Sequence, residues 1–171
     1  MNADRKTTLD EMLESWHDVR LGIIEEVQNI PAGKFDFRPT PDVRSVREQV
    51  QHILEVAMMA TGEFTRPDTN LQRAPWPKLL ELYAKPAWEA KSKAELLALL
   101  RSQIKDAEKK FRDQGELALL QFHKRFDGKN GSKLAWVWHA QANEWYHRGQ
   151  LATYARMMGL VPALTQQIQG T

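Results

Sequence analysis

Three residues with chemistry in their side chains recur along one line of the sequence. His139, Asn143 and His147 follow one another at intervals of four, with Gln150 beside them. Four residues turn an α-helix by about 400°, so they return to nearly the same face. Trp136, Ala140, Leu151, Tyr154 and Met158 mark the inward stripe of the same segment, and continuing their spacing through the gap lands on Asn143 and His147. Burying polar groups costs roughly 1–3 kcal/mol each unless they are bonded. A row of them facing a core therefore points to a site or a water-filled cleft. His52, in an earlier periodic segment, is the natural partner. On its own wheel it lies at the edge of the apolar stripe, on the flank shared with Val56 and Met59.

Other chemistries find less support. Glu144-x-x-His147 matches the Glu-x-x-His of di-iron carboxylate bundles, which also need a second such motif and two more inward glutamates. Glu48 and Glu55, around His52, fall on the outward side of their wheel, and the first and third helical segments show no inward glutamate. The absence of cysteine excludes disulfides, thiolate metal sites and a cysteine nucleophile. No serine or threonine is placed near a histidine, so a hydrolytic triad has no basis. His17 and His123 have no partner pattern and are expected at the surface.

The elements that must position these residues are helices. Thr8–Glu11, Ser45–Glu48 and Ser92–Glu95 each read as a capping box, a hydroxyl acceptor three residues before a glutamate. Behind them run apolar stripes: Leu9, Met12, Leu13, Trp16, Ile23, Val27 and Ile30; Val46, Val50, Ile53, Ala57, Ala60 and Phe64; Leu97, Leu100, Ile104, Ala107 and Phe111. The fourth helix should run from near Ser132 to about Met158 and stop at Gly159, Leu160 and Pro162 in a C-cap pattern. Four such stripes bury one another in a four-helix bundle, an all-α fold. The connections are long and rich in proline. A short helix is expected near Lys78–Ala84, and an extended piece within Leu117–Phe126. Trp16, Trp136 and Trp138 read as core, whereas Trp76 and Trp88, in the second connection, could roof a cleft.

Bulk properties narrow the class. The 171 residues suit a single domain, and 24 basic against 22 acidic residues leave a net charge of +2 with no basic stripe, which argues against nucleic acid as a partner. No apolar run approaches a membrane span. The polar N-terminal stretch MNADRKTTLDE carries no apolar leader, so a cytoplasmic protein is expected.

Longer stretches then become recognisable. Trp145-Tyr146-His147-Arg148-Gly149-Gln150-Leu151, followed by Tyr154-Ala155-Arg156 and Gly159-Leu160-Val161-Pro162, resembles the end of the DinB/YfiT-like superfamily. Ile30-Pro31 with Phe37-Arg38-Pro39, then Gln51-His52-Ile53-Leu54-Glu55 and Phe126-Asp127-Gly128-Lys129, are similar to earlier family landmarks in the same order. The resemblance covers nearly the whole chain. It implies a single DinB-like domain over 1–171, a four-helix bundle with long crossovers in up-up-down-down order, and a homodimer. It also implies a divalent metal (Zn, Ni or Mn) held by three histidines, one on the second helix and a His-x-x-x-His pair on the fourth.

The matching positions here are His52, Asn143 and His147, so asparagine stands where the family has its middle histidine. An amide oxygen is a poorer ligand than imidazole for Zn or Ni. The resemblance thus implies a metal-dependent enzyme of transferase or hydrolase type. Its substrate would be a small molecule, used with a low-molecular-weight thiol in the transferase case. The metal site would be impaired, or completed by Asn143 and waters. The alternative is a binding or stress-response scaffold with a metal-free His52–Asn143–His147 cluster and no catalytic activity.

Overall fold

Hydroxyl caps open the long helices. The structure is a computed structural model that describes residues 6–170; the first five residues of the polar N-terminal stretch lie outside them. Helix α1 spans Thr8–Asn29, α2 Val46–Phe64, α5 Lys93–Gln114 and α7 Lys133–Met157. Ser45 with Glu48 and Ser92 with Glu95 form the capping boxes expected of them. The first box sits one residue earlier than the sequence suggests, on Thr7 and Asp10. That register also places Asp10 on Arg112 at 2.7 Å, and the guanidinium with the Thr7 cap draws the Asp10 carboxyl down to about 2. Helix α7 stops as expected. Gly159 adopts φ 78°, and the Leu160 and Gly159 N–H groups donate back to Ala155 and Arg156 at 2.9 Å each.

Shorter elements fill the connections. A 3₁₀ turn occupies Ala32–Lys34, α3 covers Trp76–Tyr83, α4 Lys85–Glu89 and α6 Glu116–Leu119. The expected extended piece is strand β1, Phe122–Lys124, paired antiparallel with β2, Asn130–Ser132. A further helix, α8 at Ala163–Gln169, has no period in the sequence because it is too short to show one. Its first N–H groups donate to Glu26, from Ala163 at 3.0 Å and Leu164 at 3.4 Å. Glu26 is therefore an inward glutamate on the first helix, contrary to the wheel. An anion at a helix N-terminus satisfies orphan donors there.

The four long helices form the bundle, and the three apolar stripes read from α1, α2 and α5 face its core, Leu97 at its margin. Helix α1 packs on α5 and α7, and α2 packs on the same two, leaving α1 and α2 on a diagonal. Their directions follow from the bonds between them. Asp10 meets Arg112 while Lys93 reaches the Gln28 carbonyl, so α5 runs against α1. Met12 meets Gln141 while Asn29 meets Val161, so α7 runs with α1. Gln49 meets Gln150, and Asn143 lies across the cleft from the later turns of α2, so α7 runs against α2. The order is up-down-down-up and not the expected up-up-down-down. The reason is that only residues 65–92 travel the length of the bundle; the first connection, though long, folds back at one end.

A polar network crosses the core. Glu144 (1% exposed) accepts from Arg20 Nη2 at 2.5 Å, Arg20 Nε at 2.9 Å and Trp16 Nε1 at 2.7 Å. Arg20 (0% exposed) also donates to the Leu100 carbonyl at 3.0 Å and Gln103 Oε1 at 2.7 Å, and Gln103 passes the chain to Thr61 at 3.0 Å. All four bundle helices contribute. Each group is satisfied, the condition under which a buried ion pair is tolerated.

Two surface-or-core expectations are overturned. Trp138 is exposed, whereas His123 is buried (3% exposed) between Phe64 and Trp136 with both ring nitrogens lacking a full hydrogen bond among the described residues. It is carried inward by β1, an element with no periodic signal. Burial foremost, and then Lys133 and Arg125, hold the His123 ring below its ordinary pKa of 6.5. The unfolded chain therefore takes up protons below about pH 6.5 that the folded chain refuses, so stability is full above that pH and falls as pH drops through it. A His123→Phe variant is expected to melt higher at pH 5, by about 1 kcal/mol of stability, and to differ less from the parent at pH 8. Thermal melts over that range check this; an unchanged acid limb would contradict it.

Candidate functional site

The site lies between α2 and α7. Both histidines sit about midway along antiparallel helices, which brings their rings to 4.8 Å between centroids, nearly perpendicular at 86°. His147 is buried and His52 half-buried. Each ring is held through Nδ1. His52 Nδ1–H donates to Glu55 Oε1 at 2.5 Å, and Glu55 Oε2 in turn accepts from the Trp88 indole N–H at 2.7 Å. His147 Nδ1 meets Gln150 Oε1 at 2.7 Å and also the Gln49 amide nitrogen, which donates to Gln150 Oε1. The Glu55 acceptor makes Nδ1 the protonated nitrogen of His52, and the Asn143 amide donor at Nε2 selects the same tautomer for His147, so Nε2 is the lone-pair nitrogen on both rings. His52 Nε2 has no protein partner among the described residues; His147 Nε2 accepts from Asn143 Nδ2 at 3.1 Å.

Asn143 itself is incompletely satisfied. Its Oδ1 is buried and has no hydrogen-bond partner among the described residues. A buried amide oxygen without a donor costs free energy and is complementary to a cation or a ligand N–H or O–H.

Burial and neighbouring groups shift two members of the cluster. Burial first, and then the proximity of His52 and Arg44, push the His147 ring down, against the Gln150 bond. For Glu55, burial works to raise the pKa, but hydrogen bonds from His52 and Trp88 outweigh it and leave the carboxyl below its usual range. Glu55 is thus an ionised carboxylate held against His52 Nδ1.

Beside this cluster opens a cleft of about 490 Å³, with His52 and Asn143 on its wall and Phe64, Trp76, Phe126 and Trp136 around the rest. Trp76 and Phe126 meet edge to face at 5.0 Å, Phe126 and Trp136 at 6.0 Å. Trp76 forms part of the cleft, as expected. Trp88 does not line it and instead braces Glu55.

His139 does not share the inward line expected for it with Asn143 and His147. His139 is exposed at the cleft margin, against Trp136 at 5.2 Å. Arg20 and Trp16 draw Glu144 into the core, so the buried face of α7 runs through Val137, Gln141, Glu144 and His147. Glu144 is fully engaged in the core network and bonds to neither histidine. Glu55, by contrast, was read as outward yet supports His52; its spacing of three from that histidine was the available signal. The same spacing placed Gln49 before His52 and Gln150 after His147.

The residues matched by the family model for the DinB family are 1–169. The chain belongs to the DinB family. Solved structures agree on the fold. The DinB-like protein YjoA from Bacillus subtilis superposes with a TM-score of 0.66 at 19% identity, covering 87% of this chain and 92% of that one. YfiT from Bacillus subtilis, described as "a probable metal-dependent hydrolase with an unusual four-helix bundle topology", gives a TM-score of 0.69 at 16% identity over 94% of each chain. The mycothiol-dependent maleylpyruvate isomerase gives 0.65 at 11% identity, over 88% of this DinB chain and 63% of its own. No curated protein matches the sequence at a significant level. Among the described residues no helix of this DinB protein is long and apolar enough to cross a membrane.

Proposed function

We propose that this DinB protein is a metal-dependent enzyme of hydrolase or thiol-dependent transferase type, with His52, Asn143 and His147 as the residues that hold a divalent ion. The supporting observation is the pair of imidazoles fixed through Nδ1 by Glu55 and Gln150 next to the unpartnered Asn143 Oδ1. Metal-binding histidines are characteristically oriented by such partners. Two nitrogens and an amide oxygen fit a divalent ion, with weaker donation than three imidazoles. When bound, such an ion lowers the pKa of a coordinated water or thiol and polarises an acceptor oxygen. Glu55 keeps His52 in the tautomer with Nε2 unprotonated, His147 shares that tautomer, and the aromatic walls limit water at this end of the cleft.

A second reading has its own observation. The Asn143 amide already donates to His147 Nε2, and this closes a hydrogen-bonded cluster that needs no ion. A metal-free binding scaffold would keep that bond.

Elemental analysis of the purified protein, beside a His52→Ala variant, separates the two. The enzyme reading expects metal near stoichiometry in the parent and its loss in the variant. Metal absent from the parent even after incubation with excess Zn²⁺, Ni²⁺ or Mn²⁺ would favour the scaffold.

A further inference from the structure

Among the described residues, the walls of the cleft carry no carboxylate, lysine or arginine. Beyond His52 and Asn143 at the histidine end and the exposed His139 at the margin, its lining is apolar. Four aromatic rings from separate parts of the chain converge there: Phe64 from α2, Trp76 from α3, Phe126 from the turn between the strands and Trp136 from α7. Trp76 and Phe126, and Phe126 and Trp136, meet edge to face at 5.0 and 6.0 Å, and His139 lies tilted against Trp136 at 5.2 Å. Rings packed this way line the space with aromatic surface. Neither of two cations close by lines the cleft: Arg125 lies against the Trp136 ring at 5.2 Å and pairs with Asp127 at 2.9 Å, and Arg44 acts on His147 from outside the lining.

An anionic ligand entering this space would shed its hydration without meeting a counter-charge on the walls, a large cost. A flat uncharged ligand would gain by burial against the rings. The volume of about 490 Å³ lies within the range of small-molecule sites. At the inner end, the unpartnered Asn143 Oδ1 and the free Nε2 of His52 offer two acceptors, suited to a single O–H or N–H donor.

We infer that the cleft takes an uncharged, flat, largely apolar molecule that carries one hydrogen-bond donor, its rings against Trp76, Phe126 and Trp136 and its donor at His52 and Asn143. This rests on the enzyme reading only in taking the histidine end as the reacting end. The selection against charge follows from the walls alone.

The test uses the full chain and a matched pair of probes, 2-naphthalenemethanol and 2-naphthoate, titrated calorimetrically into chelator-treated and zinc-loaded protein. In the chelator-treated protein the alcohol is expected to bind at least about tenfold more tightly than the carboxylate. Phe126→Ala and Trp76→Ala, both at partly exposed positions, should each weaken the alcohol by about three- to tenfold while melting like the parent. Equal or tighter binding of the carboxylate to chelator-treated protein, no binding of either probe, or unchanged affinity in both variants would overturn the inference. Naphthyl binding without zinc uptake would sink the metal reading alone, and zinc uptake without naphthyl binding would sink this one alone.

Discussion

An Asn143→His variant is expected to bind zinc or nickel about 10- to 100-fold more tightly than the parent, the scale on which single groups around metal ligands change affinity. Asn143 and His147 are one turn apart on α7, about 6 Å of rise, on the same face. Replacing the amide has two effects. It supplies a third imidazole where the unpartnered Oδ1 now sits, and it removes the bond that occupies His147 Nε2. The larger ring has room, because Asn143 borders the cleft and not a packed seam. Competition against a chromophoric chelator measures the change. Unchanged affinity in a variant that folds normally would mean that the ion, if any, is held elsewhere.

The second large effect concerns stability. Glu144→Ala should cost about 3–5 kcal/mol, the usual penalty for stranding one member of a buried ion pair, and a large part of the total for a domain of this size. Arg20 would keep its bonds to Leu100 and Gln103 but lose its one counter-charge among the described residues, and the Trp16 indole N–H would lose its acceptor. Replacing both partners, Arg20→Met with Glu144→Leu, should recover most of the loss, because no charge is then left in the core. Urea melts of the three variants make the comparison. A double variant as unstable as Glu144→Ala would show that packing of the two side chains, and not their charge, is what matters.

The helices were legible because each long one carries a hydroxyl cap and an apolar stripe, both local properties of the chain. Even the core network left a trace. Arg20 falls four residues after Trp16 and three before Ile23, at a gap in an otherwise complete stripe. Its partner Glu144 could not be paired with it, since nothing local relates residues so far apart. The order of helix directions was illegible for the same reason. At the site, the family likeness joined His52 to His147, which wheel position alone did not. Asn143 stands beside them in the structure, whereas His139 does not, because the buried face of α7 runs through Val137, Glu144 and His147 and leaves His139 outside it. His123 was misread because a three-residue strand is too short to show alternation.

The diagonal placement of α1 and α2 bears on how the chain comes to be folded. The first two helices to leave a ribosome scarcely touch each other in the finished bundle; each needs α5 and α7 to cover its apolar stripe. Glu26 of α1 goes further and reaches the backbone of Ala163, near the end of the chain. Synthesis is vectorial, and domains usually consolidate as whole units. The N-terminal half therefore stays exposed until α5 arrives, and α1 is fully enclosed only when α7 and α8 follow it. Late closure raises the mean sequence separation of the contacts, which slows folding relative to a bundle of consecutive hairpins. In the cell, the early stripes Leu9–Val27 and Val46–Phe64 are the surfaces a holding chaperone would meet first.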